Sequence, residues 1–112
     1  MAEQNLSTFV VEAGAGRPGM AESGPYHEIA SRNETGAFRL LHNSLAPGVW
    51  AHQMHRHPDS ESFYVLEGSF EMHIEGREVT VLGPGSFVYI PSDVPHTFVT
   101  GPEGGSKLTL IA

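Results

Sequence analysis

The stretch HQMHRHPDSE, residues 52 to 61, sets three of the chain's seven histidines and two carboxylates within ten positions. Imidazole nitrogen and carboxylate oxygen are donors that divalent transition metals accept. On an extended strand, side chains two apart share a face, so His55 and His57 in H-x-H can close on one ion. Glu61 stands four beyond His57, in register if the strand continues, and Pro58 marks a local break that can aim it. A fourth ligand must come from elsewhere in the fold. PSDVPHTF supplies His96, at the start of a new strand just after a Pro-x-x-x-Pro turn. Read singly, the same residues are a surface pair, a solvated charge and a core histidine bonded to backbone.

The elements that must position these residues read as strands. Gly and Pro are scattered along the whole length and leave few windows for a helix. Short runs rich in β-branched and aromatic residues recur: FVV at 9, FRLLHNSL from 38, SFYVLE from 62, SFEMHIE from 69, REVTVL from 77, SFVYI from 86, HTFV from 96 and KLTLI from 107. Each is bounded by turn formers, the pattern of an all-β sandwich or barrel. Gly68 and Gly76 divide residues 61 to 82 into a three-strand meander. In its middle strand Phe70, Met72 and Ile74 share a buried face, and His73 joins Glu71 and Glu75 on a polar one. GAGRPGMAESGP, residues 14 to 25, is loop by composition. Residues 1 to 8 read as a mobile N-terminal segment before a single domain over 9–112.

Composition narrows the partners. Thirteen acidic residues against six basic ones give a formal charge of −7, which repels phosphate backbones, so nucleic acid is not expected. The absence of cysteine excludes thiolate metal sites, disulfides and cysteine nucleophiles. No segment reads as a leader or a membrane span, and a soluble cytoplasmic protein is expected. Gly14, Gly16 and Gly19 spell G-x-G-x-x-G, but Pro18, Gly19, Gly24 and Pro25 forbid the helix that a dinucleotide site needs.

The wider spacing binds the ligand candidates together. Gly48 is followed after six residues by His55-x-His57, after three more by Glu61 and after six more by Gly68. Gly85 is followed after five residues by Pro91 and after four more by His96. These two strings resemble the paired motifs of the cupin superfamily, over about residues 36 to 111. The resemblance implies an antiparallel jelly-roll β-barrel, which also disposes of exposed strand edges. It further implies one divalent transition metal ion per chain in the barrel mouth, held by His55, His57, Glu61 and His96. Iron, nickel, manganese, copper, cobalt and zinc all suit such donors. Ser86 and Thr100 depart from the acidic residue and asparagine of many relatives, but neither position is a ligand. The chain stops at Ala112, where many relatives continue, which implies a more open cavity or an edge for a partner to cover.

The resemblance extends to function in two classes. As an enzyme, the chain is similar to small monocupins that include quercetinase-like dioxygenases, zinc-dependent polyketide cyclases, and lyases or isomerases of small acids. A dioxygenase-type reaction on a small aromatic or enolisable substrate is the first expectation, and redox-neutral chemistry the second. In the dioxygenase case the resemblance makes Glu61 a proton acceptor as well as a ligand, and His52 is a spare acid-base group. Alternation suggests Phe38, Leu40, His42, Trp50, Phe63, Val65 and Phe98 as the pocket wall. As a binding module, the same pocket would serve a small-molecule sensor without turnover. The outward residues Tyr64, Leu66 and Tyr89 are compatible with the homodimer common among relatives of this size.

Overall fold

Alternation and the placement of glycine account for most of the architecture. The computed structural model describes residues 6–112. Its elements, in order, are β1 (Arg17–Ala21), β2 (Gly24–Ala30), α1 (Arg32–Thr35), β3 (Arg39–Leu45), β4 (Glu61–Ile74), β5 (Thr80–Leu82), β6 (Phe87–Ile90) and β7 (His96–Ile111). The strands pair antiparallel in the order β1-β2-β3-β7-β4-β5, with β6 also on β4. No helix among the described residues is long and apolar enough to cross a membrane.

The two longest strands bend rather than end. SFYVLE and SFEMHIE, expected as separate strands, are halves of β4, and HTFV and KLTLI are halves of β7. Gly68 takes a left-handed backbone, φ 66°, and the β4–β7 register slips on both sides of it. It therefore makes a bulge instead of a reversal. A Cβ on Gly68 would strike the Gly104 carbonyl, and one on Gly105 would strike the Phe70 ring, so the chains can pass this close only with glycine. Folding along this line lays two half-sheets face to face, the jelly roll that the motifs imply.

The core fills the space between them. Phe63 and Val65 come from one half, Ala51, Phe70, Met72 and Phe98 from the other, and Leu45 and Ile90 complete the cluster. Phe98 packs edge-on against both Phe63 and Phe70, at 5.7 and 5.4 Å between centroids. Phe70, Met72 and Ile74 face inward as their period requires. His73 lies outside, its Nε2 3.0 Å from Glu71 Oε1.

The N-terminal reading needs correction. FVV at 9 forms no strand, and the expected loop from 14 to 25 instead contains β1 and the turn into β2. The hairpin is held from outside its own sequence: β2 pairs with β3, and Glu28 receives hydrogen bonds from both Arg17 and Arg39. Leu6 to Thr8 lie exposed before any strand, and the rest of the expected N-terminal segment lies outside the described residues. Helix α1 has a capping box between Ser31 and Glu34 and ends on Gly36 at φ 74°.

On β3 the inward face is the opposite of the one expected. Leu41, Asn43 and Leu45 are buried, placing Leu40 and His42 on the other face, while Phe38 precedes the strand. No ligand sits on this strand to anchor its alternation. Its parity is set by pairing with β7, where Leu41 meets Thr109 and Asn43 meets Lys107.

Candidate metal centre

Two backbone segments hold the histidines. The His55 N–H donates to the His96 carbonyl at 3.2 Å, and the His96 N–H returns a bond to the His55 carbonyl at 2.9 Å. This reciprocal pair clamps the irregular segment before β4 to the start of β7. Asp93, in the left-handed region at φ 61°, donates its N–H to the His57 carbonyl at 2.8 Å and fixes the third histidine. Aspartate tolerates that conformation better than most residues. On the other side, backbone bonds between Ser60 and Ala112 fix the start of β4, from which Glu61 projects.

The ring nitrogens divide their work. Each Nδ1 lies against a backbone carbonyl: His55 against His96 at 3.1 Å, His57 against Asp59 at 2.9 Å, His96 against Val94 at 2.7 Å. With Nδ1–H donating there, each Nε2 keeps its lone pair, the arrangement that orients a metal-ligating imidazole. One ligand nitrogen from each of His55, His57 and His96 falls within 4.8 Å of the others. Among the described residues, His96 Nε2 is buried without a hydrogen-bond partner. An orphaned buried acceptor is costly, and a divalent cation would satisfy it. These three histidines could hold a metal ion.

Glu61 borders the same space. Its Oε1 is 3.1 Å from His57 Nε2 and 3.9 Å from His96 Nε2. The His52 ring stands edge-on to His55 at 3.6 Å between centroids, with Nδ1 against the Gln53 carbonyl. Burial, then the neighbouring His52 and His96, holds the His55 imidazole below its ordinary pKa and so toward the neutral form that a ligand requires. A hollow of about 500 Å³, edged by Glu22, His52, Gln53, Met54 and His55, opens beside the rings.

The expected wall divides. Phe63, Val65 and Phe98 are interior, as anticipated. Trp50 is not: it is 53% exposed and packs on His73 outside the barrel. Its neighbour Ala51 takes the inward position, which has the parity of His55 and His57. His42 also faces away and lies 3.0 Å from Ser106 Oγ.

One interior group escaped the sequence reading. Lys107 is 3% exposed, and its ammonium donates to Thr109 Oγ1 at 2.5 Å and to Asn43 Oδ1 at 3.4 Å. It lies 3.7 Å from the centre of the Phe63 ring and 5.0 Å from that of Phe98. Alternation along KLTLI pairs Lys107 with Thr109 and sets Leu108 and Leu110 opposite, so hydrophobicity points to the wrong face.

Barrel and histidine cluster together define a small β-barrel protein with a metal-type site at the junction of two motifs. Residues 41–111 match the Cupin domain family (Cupin_2), and the chain belongs to it. Among curated proteins it is 28% identical over 92 residues to quercetin 2,3-dioxygenase of Bacillus subtilis strain 168, covering 80% of this chain and 27% of that one. It is 40% identical over 50 residues to the dimethylsulfoniopropionate lyase DddQ of Ruegeria pomeroyi, covering 45% and 25%. The chain thus spans about a quarter of the length of these relatives. Among solved structures, the polyketide cyclase RemF of Streptomyces resistomycificus superposes with a TM-score of 0.75 at 25% identity, over 95% of this chain and 79% of that one. An RmlC-like cupin of Shewanella frigidimarina has a TM-score of 0.73 at 19% identity, covering 97% and 90%, and supports the fold alone.

Proposed function

We propose that the chain is a metal-dependent cupin enzyme that acts on a small aromatic or enolisable substrate, with dioxygenase-type chemistry as the first reading. One observation carries it: three imidazoles bring one ring nitrogen each within 4.8 Å of the others while backbone carbonyls hold every Nδ1, with the His96 Nε2 buried and unpartnered among the described residues. His55, His57 and His96 are the ligands, and Glu61 is the fourth. A divalent transition metal bound there supplies Lewis acidity and, for redox-active ions, an electron-transfer centre.

The chain's own groups do the rest. Glu61, with one carboxylate oxygen turned to the histidines, keeps the other for a substrate proton. His52, edge-on to His55, is placed to relay that proton toward the hollow beside it. Phe63 and Phe98, buried two residues beyond Glu61 and His96, exclude water from beneath the site and offer an apolar floor to a flat substrate. The quercetin dioxygenase likeness supports this reading.

A redox-neutral cyclisation, isomerisation or elimination is the second reading. It is favoured by the polyketide cyclase likeness, which covers most of both chains.

Metal analysis by plasma mass spectrometry on untagged protein, with His57→Ala and His96→Ala alongside, tests the proposal. Near-stoichiometric iron, nickel, copper or manganese, absent from both variants, supports the first reading and leads to aerobic assays on flavonols and related enols. Zinc alone supports the second. A parent protein that takes up no metal, even after reloading, sinks both. Tight binding of candidate substrates without turnover would instead identify a binding module.

A further inference from the structure

We infer that Lys107 is a positioning residue that gives the three-histidine site its preference for an anionic substrate, one that carries a carboxylate or enolate group. The inference rests on reading that site as a metal centre.

The β4–β7 register sets Glu61 opposite Ile111, Phe63 opposite Thr109 and Val65 opposite Lys107. Lys107 therefore starts two rows below Glu61. Its side chain does not stay in its own row. The ammonium bonds Thr109, one row nearer the site, and lies over the Phe63 ring from that same row. A second nearby ring, Phe98, is two residues beyond His96. The long side chain thus carries a cation up the barrel interior to the layer of Phe63 and Thr109, one row below Glu61.

Among the described residues, no carboxylate is bonded to that cation. Asn43 on β3, Thr109 on β7 and the rings of Phe63, Phe70 and Phe98 surround it, and all are uncharged. Among the described residues, Glu61 is the one charged group whose field is felt at the ammonium. The intervening Phe63 and Phe98 are 1% and 5% exposed, so little solvent screens the space between lysine and site. Two hydrogen bonds to neutral groups compensate poorly for burying a charge. An anion seated among the histidines would add to the counter-charge that Glu61 supplies, without touching the lysine.

Without a metal, burial holds the lysine far below its ordinary pKa, so its charge is lost as pH rises. An anion held with its help should bind more weakly as pH rises.

The test loads parent and Lys107→Met protein with cobalt(II) and follows azide binding by visible absorption at about pH 6 and about pH 8.5. Hydroxide competes with azide in both proteins, so the ratio of their affinities is read. At the lower pH the parent should bind azide about tenfold more tightly, equivalent to about one pKa unit of interaction, with the advantage fading at the higher pH. Lys107→Gln, which keeps a polar partner for Thr109 without the charge, should match Lys107→Met. Cobalt bound equally, with the same azide affinity in all three at the lower pH, overturns the inference alone. A parent that takes up no cobalt overturns the metal reading and this inference with it.

Discussion

At the residue scale, what the site can bind depends on which nitrogen is free. His55, His57 and His96 each commit Nδ1 to a backbone carbonyl, so replacing one ring would remove one candidate ligand and leave the others oriented. Loss of an outer hydrogen bond to a metal ligand already costs 10–100-fold in affinity. His57→Ala or His96→Ala should therefore weaken zinc binding by more than about 100-fold, read by competition with a chromophoric chelator. Lys107 makes a separate prediction about stability. Its pKa is about 7 in the folded chain against an ordinary 10.5, so between those values the unfolded chain binds more protons. Stability then rises with pH across that window, by about 1 kcal/mol per unit from this group. Urea midpoints from about pH 7 to about pH 9 should show the rise, and Lys107→Met should flatten it.

At the element scale, glycine decides whether a strand turns back or bends. Gly68 reads as a hairpin turn because apolar runs flank it, yet the chain continues through it as β4. The distinction lies in what stands opposite, since Gly104 and Gly105 of β7 meet it across the bend and leave no room for a side chain. Gly68→Ala should cost at least about 2 kcal/mol, combining a left-handed backbone with a clash against carbonyl, measured as a fall in the urea midpoint. Helix α1 offers a milder case. Ser31→Ala removes one side of its capping box and should cost about 1 kcal/mol, with hydrogen-exchange protection lost locally at Glu34.

At the scale of the molecule, one outer face is not covered by any element among the described residues. Tyr64, Phe87 and Tyr89 are 46%, 61% and 57% exposed on the paired strands β4 and β6, with Leu66 beside them. We propose that a second copy covers this face, since a monomer gains nothing from an aromatic patch in water. Light scattering at micromolar concentration should give a dimer mass, and Tyr64→Glu with Tyr89→Glu should halve it. An unchanged mass in the variant would place any dimer contact elsewhere.

What the sequence determined by itself was local in its physics. Two-residue periodicity marked Phe70, Met72 and Ile74 as one face, and the spacing of His55, His57, Glu61 and His96 marked four residues that the fold brings within a few ångströms of one another. Tertiary structure decided the rest. Leu40 and His42 were expected inside and lie outside, because the parity of β3 comes from pairing with β7 and not from its own residues. Trp50 lies outside because Ala51 takes the inward place. Lys107 lies inside although two leucines flank Thr109, because the register with β4 turns those leucines outward. Which of two alternating faces becomes the interior depends on the partner strand, and a single segment carries no record of that partner.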